Sequence, residues 1–135
     1  MKIAMIHLTR HPFPPDVRIE KELRALCAVG HEVTVVARRV DPAQPAREVL
    51  SDTGAEVVRP TVEEPWAGQR LLSRVTLRMP EWYEPLGAGM ARLSPDVLHV
   101  HDLPALPTVL HVARGVPVVA DLHENMPAAL RAYRS

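Results

Sequence analysis

The chain has 135 residues, with 16 Lys and Arg balancing 16 Asp and Glu and apolar side chains at 47%, the composition of one soluble globular domain. It excludes a collagen-like, mucin-like or acidic disordered chain, and zero net charge removes the electrostatic case for general nucleic-acid binding. No apolar run approaches the roughly 18 residues of a membrane span, the short N-terminal run breaks at His7 and Arg10 with no cleavage site for a secretory signal, and the single cysteine, Cys27, precludes an intrachain disulfide and fits a reducing, cytoplasmic compartment.

In chain order, strands alternate with helices. The first strand is expected over Lys2 to Leu8: Ile3 and Met5 face one way, Ala4, Ile6 and Leu8 the other, so both faces are buried, as in a parallel sheet. Pro12, Pro14 and Pro15 make Thr9 to Pro15 a loop. Asp16 reads as a helix N-cap. Ile19, Leu23, Leu26 and Cys27 then form an apolar stripe that ends at Gly30. A second strand follows at Glu32 to Ala37. Arg38 to Thr53 is weakly patterned, and a short third strand is expected at Glu56 to Arg59. Trp66 to Met79 reads as a helix ended by Pro80, and Pro85 to Leu93 as another. A fourth strand covers Val97 to His101. A helix begins between Asp102 and Pro107 and runs to Arg114, the fifth strand is Val116 to Leu122, and Met126 to Arg134 begins one more helix. The 14 prolines, about twice the usual share, predict long irregular connections.

This succession predicts a Rossmann-like, doubly wound parallel sheet in three α/β/α layers, with strand order 3-2-1-4-5. The fifth strand would be an uncovered edge, which reads as part of something larger. Ligands of such sheets bind beyond the carboxyl ends of the strands. That rule selects His7, Thr9, Arg10 and His11 after the first strand and Arg38 and Arg39 after the second. It selects His101 and Asp102 after the fourth, and His123, Glu124 and Asn125 after the fifth. The His101-Asp102 and His123-Glu124 ends should be neighbours. Their imidazoles and carboxylates suit a polyhydroxyl or phosphorylated ligand, or proton transfer.

Plainer readings stand beside these. Asp102 and Glu124 could each cap the following helix. His99, mid-strand, reads as a hydrogen-bonded core histidine, and Cys27 as packing. Arg18 either pairs with Glu22 at i+4 or shares an anion with Arg10 at the helix N-terminus. His99 and His101 form an HxH pair on one strand face, but no matching third ligand is evident, so no metal is expected. Neither a GxGxxG nor a GxxxxGK[ST] loop occurs. Arg70, Arg74 and Arg78 form a basic stripe beside Leu71, Val75 and Met79. A helix of that kind can lie on an anionic membrane; a solvated face over a packed one is the commoner arrangement.

The segment Phe13-Pro14-Pro15-Asp16-Val17-Arg18-Ile19-Glu20-Lys21-Glu22, with Leu26 and Gly30-His31-Glu32-Val33-Thr34-Val35, resembles the opening of glycosyltransferase family four. The resemblance recurs at Pro95-Asp96-Val97-Leu98-His99-Val100-His101-Asp102-Leu103-Pro104 and at Gly115-Val116-Pro117-Val118-Val119-Ala120-Asp121-Leu122-His123-Glu124. It implies most of the N-terminal, acceptor-side domain of a GT-B enzyme, without the C-terminal half that holds most of the nucleotide sugar. It implies retaining transfer to an acceptor without a metal or other cofactor, and a fragment inactive alone. It places His123 against the transferred sugar and His101 and Asp102 along the cleft. Many members carry a glycine pair after the first strand. This chain has Thr9-Arg10-His11-Pro12-Phe13-Pro14-Pro15 instead, where the Arg10 side chain would substitute for a backbone contact to the donor phosphates. A non-catalytic, flavodoxin-like binding domain is the alternative.

Overall fold

The computed structural model describes residues 1–122, the side chains of Leu72 and Arg74 excepted. Among these residues six strands, β1 (Lys2–His7), β2 (Glu32–Ala37), β3 (Arg47–Val49), β4 (Glu56–Val58), β5 (Val97–His101) and β6 (Val118–Asp121), form one sheet. Four helices connect them: α1 (Val17–Ala28), α2 (Ala67–Thr76), α3 (Tyr83–Leu93) and α4 (Leu106–Val112). The sheet order is β3-β4-β2-β1-β5-β6. All neighbours are parallel except β3, which pairs antiparallel with β4. The five parallel strands stand in the expected order, with β4, β5 and β6 as third, fourth and fifth. The all-parallel expectation is corrected at one edge. Arg38 to Thr53 contains β3, which folds back on β4 with Glu48 opposite Val57.

The alternation in β1 sorts two cores onto two faces. Ile3 and Met5 meet Ile19 and Leu23 of α1, together with Phe13, Val33, Val35 and Val57. Ala4, Ile6 and Leu8 meet Leu86 and Met90 of α3 and Val109 and Val112 of α4, around the fully buried Trp82. These are the two helical layers of the expected three-layer architecture. On β5 the same alternation sends Leu98 and Val100 into the second core. His99 and His101 therefore share the α1 face.

Helix α1 begins where Asp16 caps it. The Asp16 carboxylate accepts from the backbone N–H of Arg18 at 3.1 Å and of Ile19 at 3.2 Å. Glu20 Oε1 accepts in return from the Asp16 N–H at 3.1 Å, so donors left open by the helix start are satisfied reciprocally. At the other end Gly30 has φ +84°. Its N–H donates to Cys27 O at 2.9 Å, and the His31 N–H to Leu26 O at 3.1 Å, a Schellman closure that favours glycine at this position. Burial raises the thiol pKa of Cys27 above its ordinary range, consistent with packing.

Several boundaries move. Helix α2 starts at Ala67 and closes at Leu77, three residues before Pro80. Pro80 opens a 3-10 turn, Pro80–Trp82, that leads directly into α3. Pro85 therefore lies in the first turn of α3, where its missing N–H costs little. The helix after β5 is preceded by a 3-10 turn, Leu103–Ala105. The helix expected at Met126 to Arg134 lies outside the described residues.

Arg59, read in the sequence as the end of a strand, is 2% exposed. Its Nη1 donates to Pro45 O at 3.0 Å and its Nη2 to Phe13 O at 2.6 Å. The same Nη2 also pairs with the Glu48 carboxylate. One guanidinium thus joins the β1–α1 loop, the segment before β3, β3 itself and the end of β4.

Candidate functional site

The carboxyl ends of β1, β2, β5 and β6 form one rim. β1 ends at His7, which is 1% exposed. Its Nε2 lies 3.0 Å from Thr9 Oγ1, and its ring meets Phe13 edge-on at 6.2 Å. Burial lowers its pKa despite the pull of Asp16, so the ring is neutral at pH 7. Arg10 follows on the exposed part of the loop. At the end of β2 the Arg38 Nε donates to Leu8 O at 3.1 Å, and its guanidinium carbon lies 5.2 Å from the centre of the Trp82 ring. Burial and then the Arg10 charge lower its pKa. Arg38, Arg39, Glu63, Glu64 and Trp82 surround a cavity of about 140 Å³.

The end of β5 is the most constrained part. His101 is completely buried. Burial, with His99 and opposed by Asp121, lowers its pKa to about 3, so it stays neutral at pH 7. Asp102 has φ +72° and ψ 138°, a region adopted almost only by glycine. Its N–H donates to Asp121 O at 3.2 Å, which ties the ends of β5 and β6 together. Its backbone carbonyl accepts from the Ala105 N–H at 3.2 Å, but its side chain makes no capping bond. Instead Asp102 Oδ1 lies 3.7 Å from Arg18 Nη2. The helix-cap reading of Asp102 is therefore corrected: the backbone forms the turn and leaves the carboxylate at the rim. The Arg18–Glu22 pair is corrected as well. Arg18 reaches across to β5, while Glu22 faces His99 and His101.

Of the residues expected at the site, Arg10 and Asp102 reach the rim. His101 stands beneath it, turned toward Glu22 and Asp121. His123 and Glu124 lie outside the described residues. The sequence reading missed Arg18 as the partner of Asp102, and Glu22 as a neighbour of the HxH pair. The only available signal was that both sit in the first half of the helix after β1, the end that abuts the rim. The rim thus presents a guanidinium and a carboxylate side by side, groups of the kind that hydrogen-bond anionic or hydroxyl-rich ligands.

Helix α2 follows the segment 60–64 that lines the Arg38 cavity. None of its described side chains is buried, and Leu71 and Val75 are 65% and 77% exposed. The packed-face reading is corrected at Leu71 and Val75, whereas Met79, beyond the end of α2, packs against the second core. Arg70 is held by Pro65 O at 2.8 Å and lies 3.7 Å from Glu64. No described helix is long and apolar enough to cross a membrane.

Residues 17–135 match the profile of Glycosyltransferase Family 4. None of the curated proteins matches the chain. Among solved structures, sucrose-phosphate synthase from Thermosynechococcus elongatus superposes with TM-score 0.72 at 14% identity, covering 95% of this chain and 35% of that one. A second structure of that synthase gives 0.61 at 20% identity, with 97% and 68% covered. The glycotransferase of kitacinnamycin gives 0.57 at 27% identity, with 88% and 29% covered. The chain thus spans about a third of the length of two of these three structures.

Proposed function

The chain belongs to glycosyltransferase family 4, and on that premise we propose that it is the N-terminal, acceptor-side domain of a retaining GT-B enzyme that transfers a sugar from a nucleotide sugar to an acceptor hydroxyl. The observation that carries this reading is the family match over residues 17–135. The sucrose-phosphate synthase structure shares the fold, and the glycotransferase structure, at 27% identity, supports a glycosyl-transfer reading. In this reading His123 binds hydroxyls of the transferred sugar, with Glu124 beside it. Arg10 and the Arg18–Asp102 pair line the cleft. His101 positions Asp102 from below rather than touching substrate. Protein groups orient the acceptor hydroxyl and stabilise the departing diphosphate, the two effects that lower such a barrier most. A second GT-B domain supplies most of the donor site.

The test has two parts. In the full-length enzyme His123→Ala should cut turnover about 100-fold or more with the fold intact, and unchanged turnover refutes the assignment. Calorimetric titration of this chain with UDP, GDP and their sugars should show no binding. Clear binding abolished by His123→Ala would mean that this domain holds a donor site itself.

The exposed Leu71 and Val75, with Arg70 on the same helix, support a second element of the proposal. Helix α2 rests on the anionic cytoplasmic face of a membrane, with apolar side chains in the headgroup boundary and arginines over the phosphates. Flotation with anionic but not zwitterionic vesicles is the expected result. Absence of lipid-dependent binding ends the idea.

A further inference from the structure

His99 and His101 are two residues apart on β5, so both rings leave the same face of the sheet. Their centroids are 4.5 Å apart. Glu22 approaches from α1, and its Oε2 lies 3.7 Å from Nε2 of each ring. Asp121 is the register partner of His101 on β6. Its Oδ2 lies 3.7 Å from His101 Nδ1. One donor atom from each of the four residues falls within 4.8 Å of all the others. The group opens on a depression of about 830 Å³ that Glu22, His99 and Asp121 line together with Leu26 and Val119.

We propose that this cluster binds a divalent transition-metal ion, zinc by its ligand set, through His99, His101 and Glu22, with Asp121 as the carboxylate behind His101. A tetrahedral ion with ligands at about 2.0–2.2 Å separates neighbouring ligand atoms by about 3.3–3.6 Å. The two 3.7 Å separations meet that requirement with shifts of a few tenths of an ångström. Two imidazoles and a carboxylate favour zinc, whereas magnesium and calcium take oxygen ligands. The two carboxylates balance the ion's charge where His101 is fully buried. A carboxylate on the second ring nitrogen is the arrangement that fixes a ligating histidine's tautomer. The ion would clamp α1, β5 and β6 together one residue before Asp102, independently of whether the chain takes part in glycosyl transfer.

The experiment titrates the chelator-treated chain with Co²⁺, as a spectroscopic stand-in, and with Zn²⁺, and records thermal melts. The expected result is one equivalent bound, visible absorption typical of low-coordinate cobalt that Zn²⁺ abolishes, and a melting temperature that rises with ion concentration. His99→Ala and Glu22→Gln should each weaken binding about 100-fold, and Asp121→Asn roughly 10-fold. Melts without metal verify that each variant is folded, and Glu22→Gln keeps the test available if His99→Ala is not. His11→Ala with His31→Ala should change affinity little. Absence of saturable binding below about 1 mM overturns the proposal. So does binding that survives the combined His99→Ala and Glu22→Gln change, because it would place the ion on other histidines.

Discussion

Replacing Arg59 by Met keeps the apolar stem and removes the guanidinium. The Phe13 carbonyl loses its donor in a place where Phe13 is wholly buried. A lost bond to a charged donor costs about 1.5–3 kcal/mol. The Pro45 carbonyl belongs to an exposed residue and is rehydrated, so its loss adds roughly 0.5–1 kcal/mol. The Glu48 side chain is 31% exposed and returns to water, a loss of about 1 kcal/mol or less. The sum is about 2–5 kcal/mol, which overlaps the range for breaking a buried ionic group. For a domain of this size that is a fall in melting temperature of roughly 10 °C. Urea titration followed by far-UV circular dichroism would measure it. Glu48→Gln serves as the control, with an expected cost below about 1 kcal/mol. A loss under about 1 kcal/mol for Arg59→Met would refute the reasoning. Equal costs for the two variants would place the stabilisation in the ion pair rather than in the carbonyls.

The other predictions concern capping, acid and the rim. Asp16→Ala should cost about 1 kcal/mol and Asp16→Asn only a few tenths, read from the same urea titrations; equal costs would show that the charge, not the capping acceptor, matters. His7 is held below its ordinary value of 6.5 by burial, so the unfolded chain takes up a proton that the folded chain refuses. The stability this contributes is complete above about pH 6.5 and declines as the pH falls toward the folded value. Melting temperature should therefore drop from pH 7 to pH 5, with a shallower slope in His7→Gln; equal slopes would refute the assignment. Leu71→Glu with Val75→Glu should abolish vesicle flotation without lowering the melting temperature, since neither side chain is buried; a large thermal loss would show that α2 packs after all.

The sheet was readable because its strands bury both faces, and a two-sided apolar run as short as Lys2 to Leu8 suits little besides a strand covered on both sides. The Asp16 cap and the Gly30 stop were readable because each is a local stereochemical demand. β3 was not. Arg47-Glu48-Val49 has a single apolar side chain, and what makes it a strand is pairing with β4, including an Arg47–Glu56 bond of 2.6 Å. The surroundings of His101 were half readable. The strand-end rule placed His101 and Asp102 at the carboxyl edge, and strand period placed His99 beside His101. No periodicity could place Glu22 over them, because helical spacing reports the apolar stripe of α1 and not which flank lies over β5. Arg59 was missed because a terminal strand residue is ordinarily solvated. Its burial follows from three carbonyl and carboxylate acceptors converging from distant segments.

The backbone at Asp102 carries a consequence for how such a domain can evolve or be engineered. A residue with φ +72° occupies a conformation that costs a side-chain-bearing residue about 1–3 kcal/mol, and glycine would sit there without that cost. Asp102→Gly should therefore offset the lost Arg18 contact, which is half-exposed and weak, and leave the fold as stable or more so. A search for thermal tolerance would drift toward glycine at this position, and the drift would erase the rim's carboxylate. Selection on melting temperature and selection on turnover should thus part company at residue 102. Pairing the two readouts on one library is the direct way to see whether the strain is retained for function.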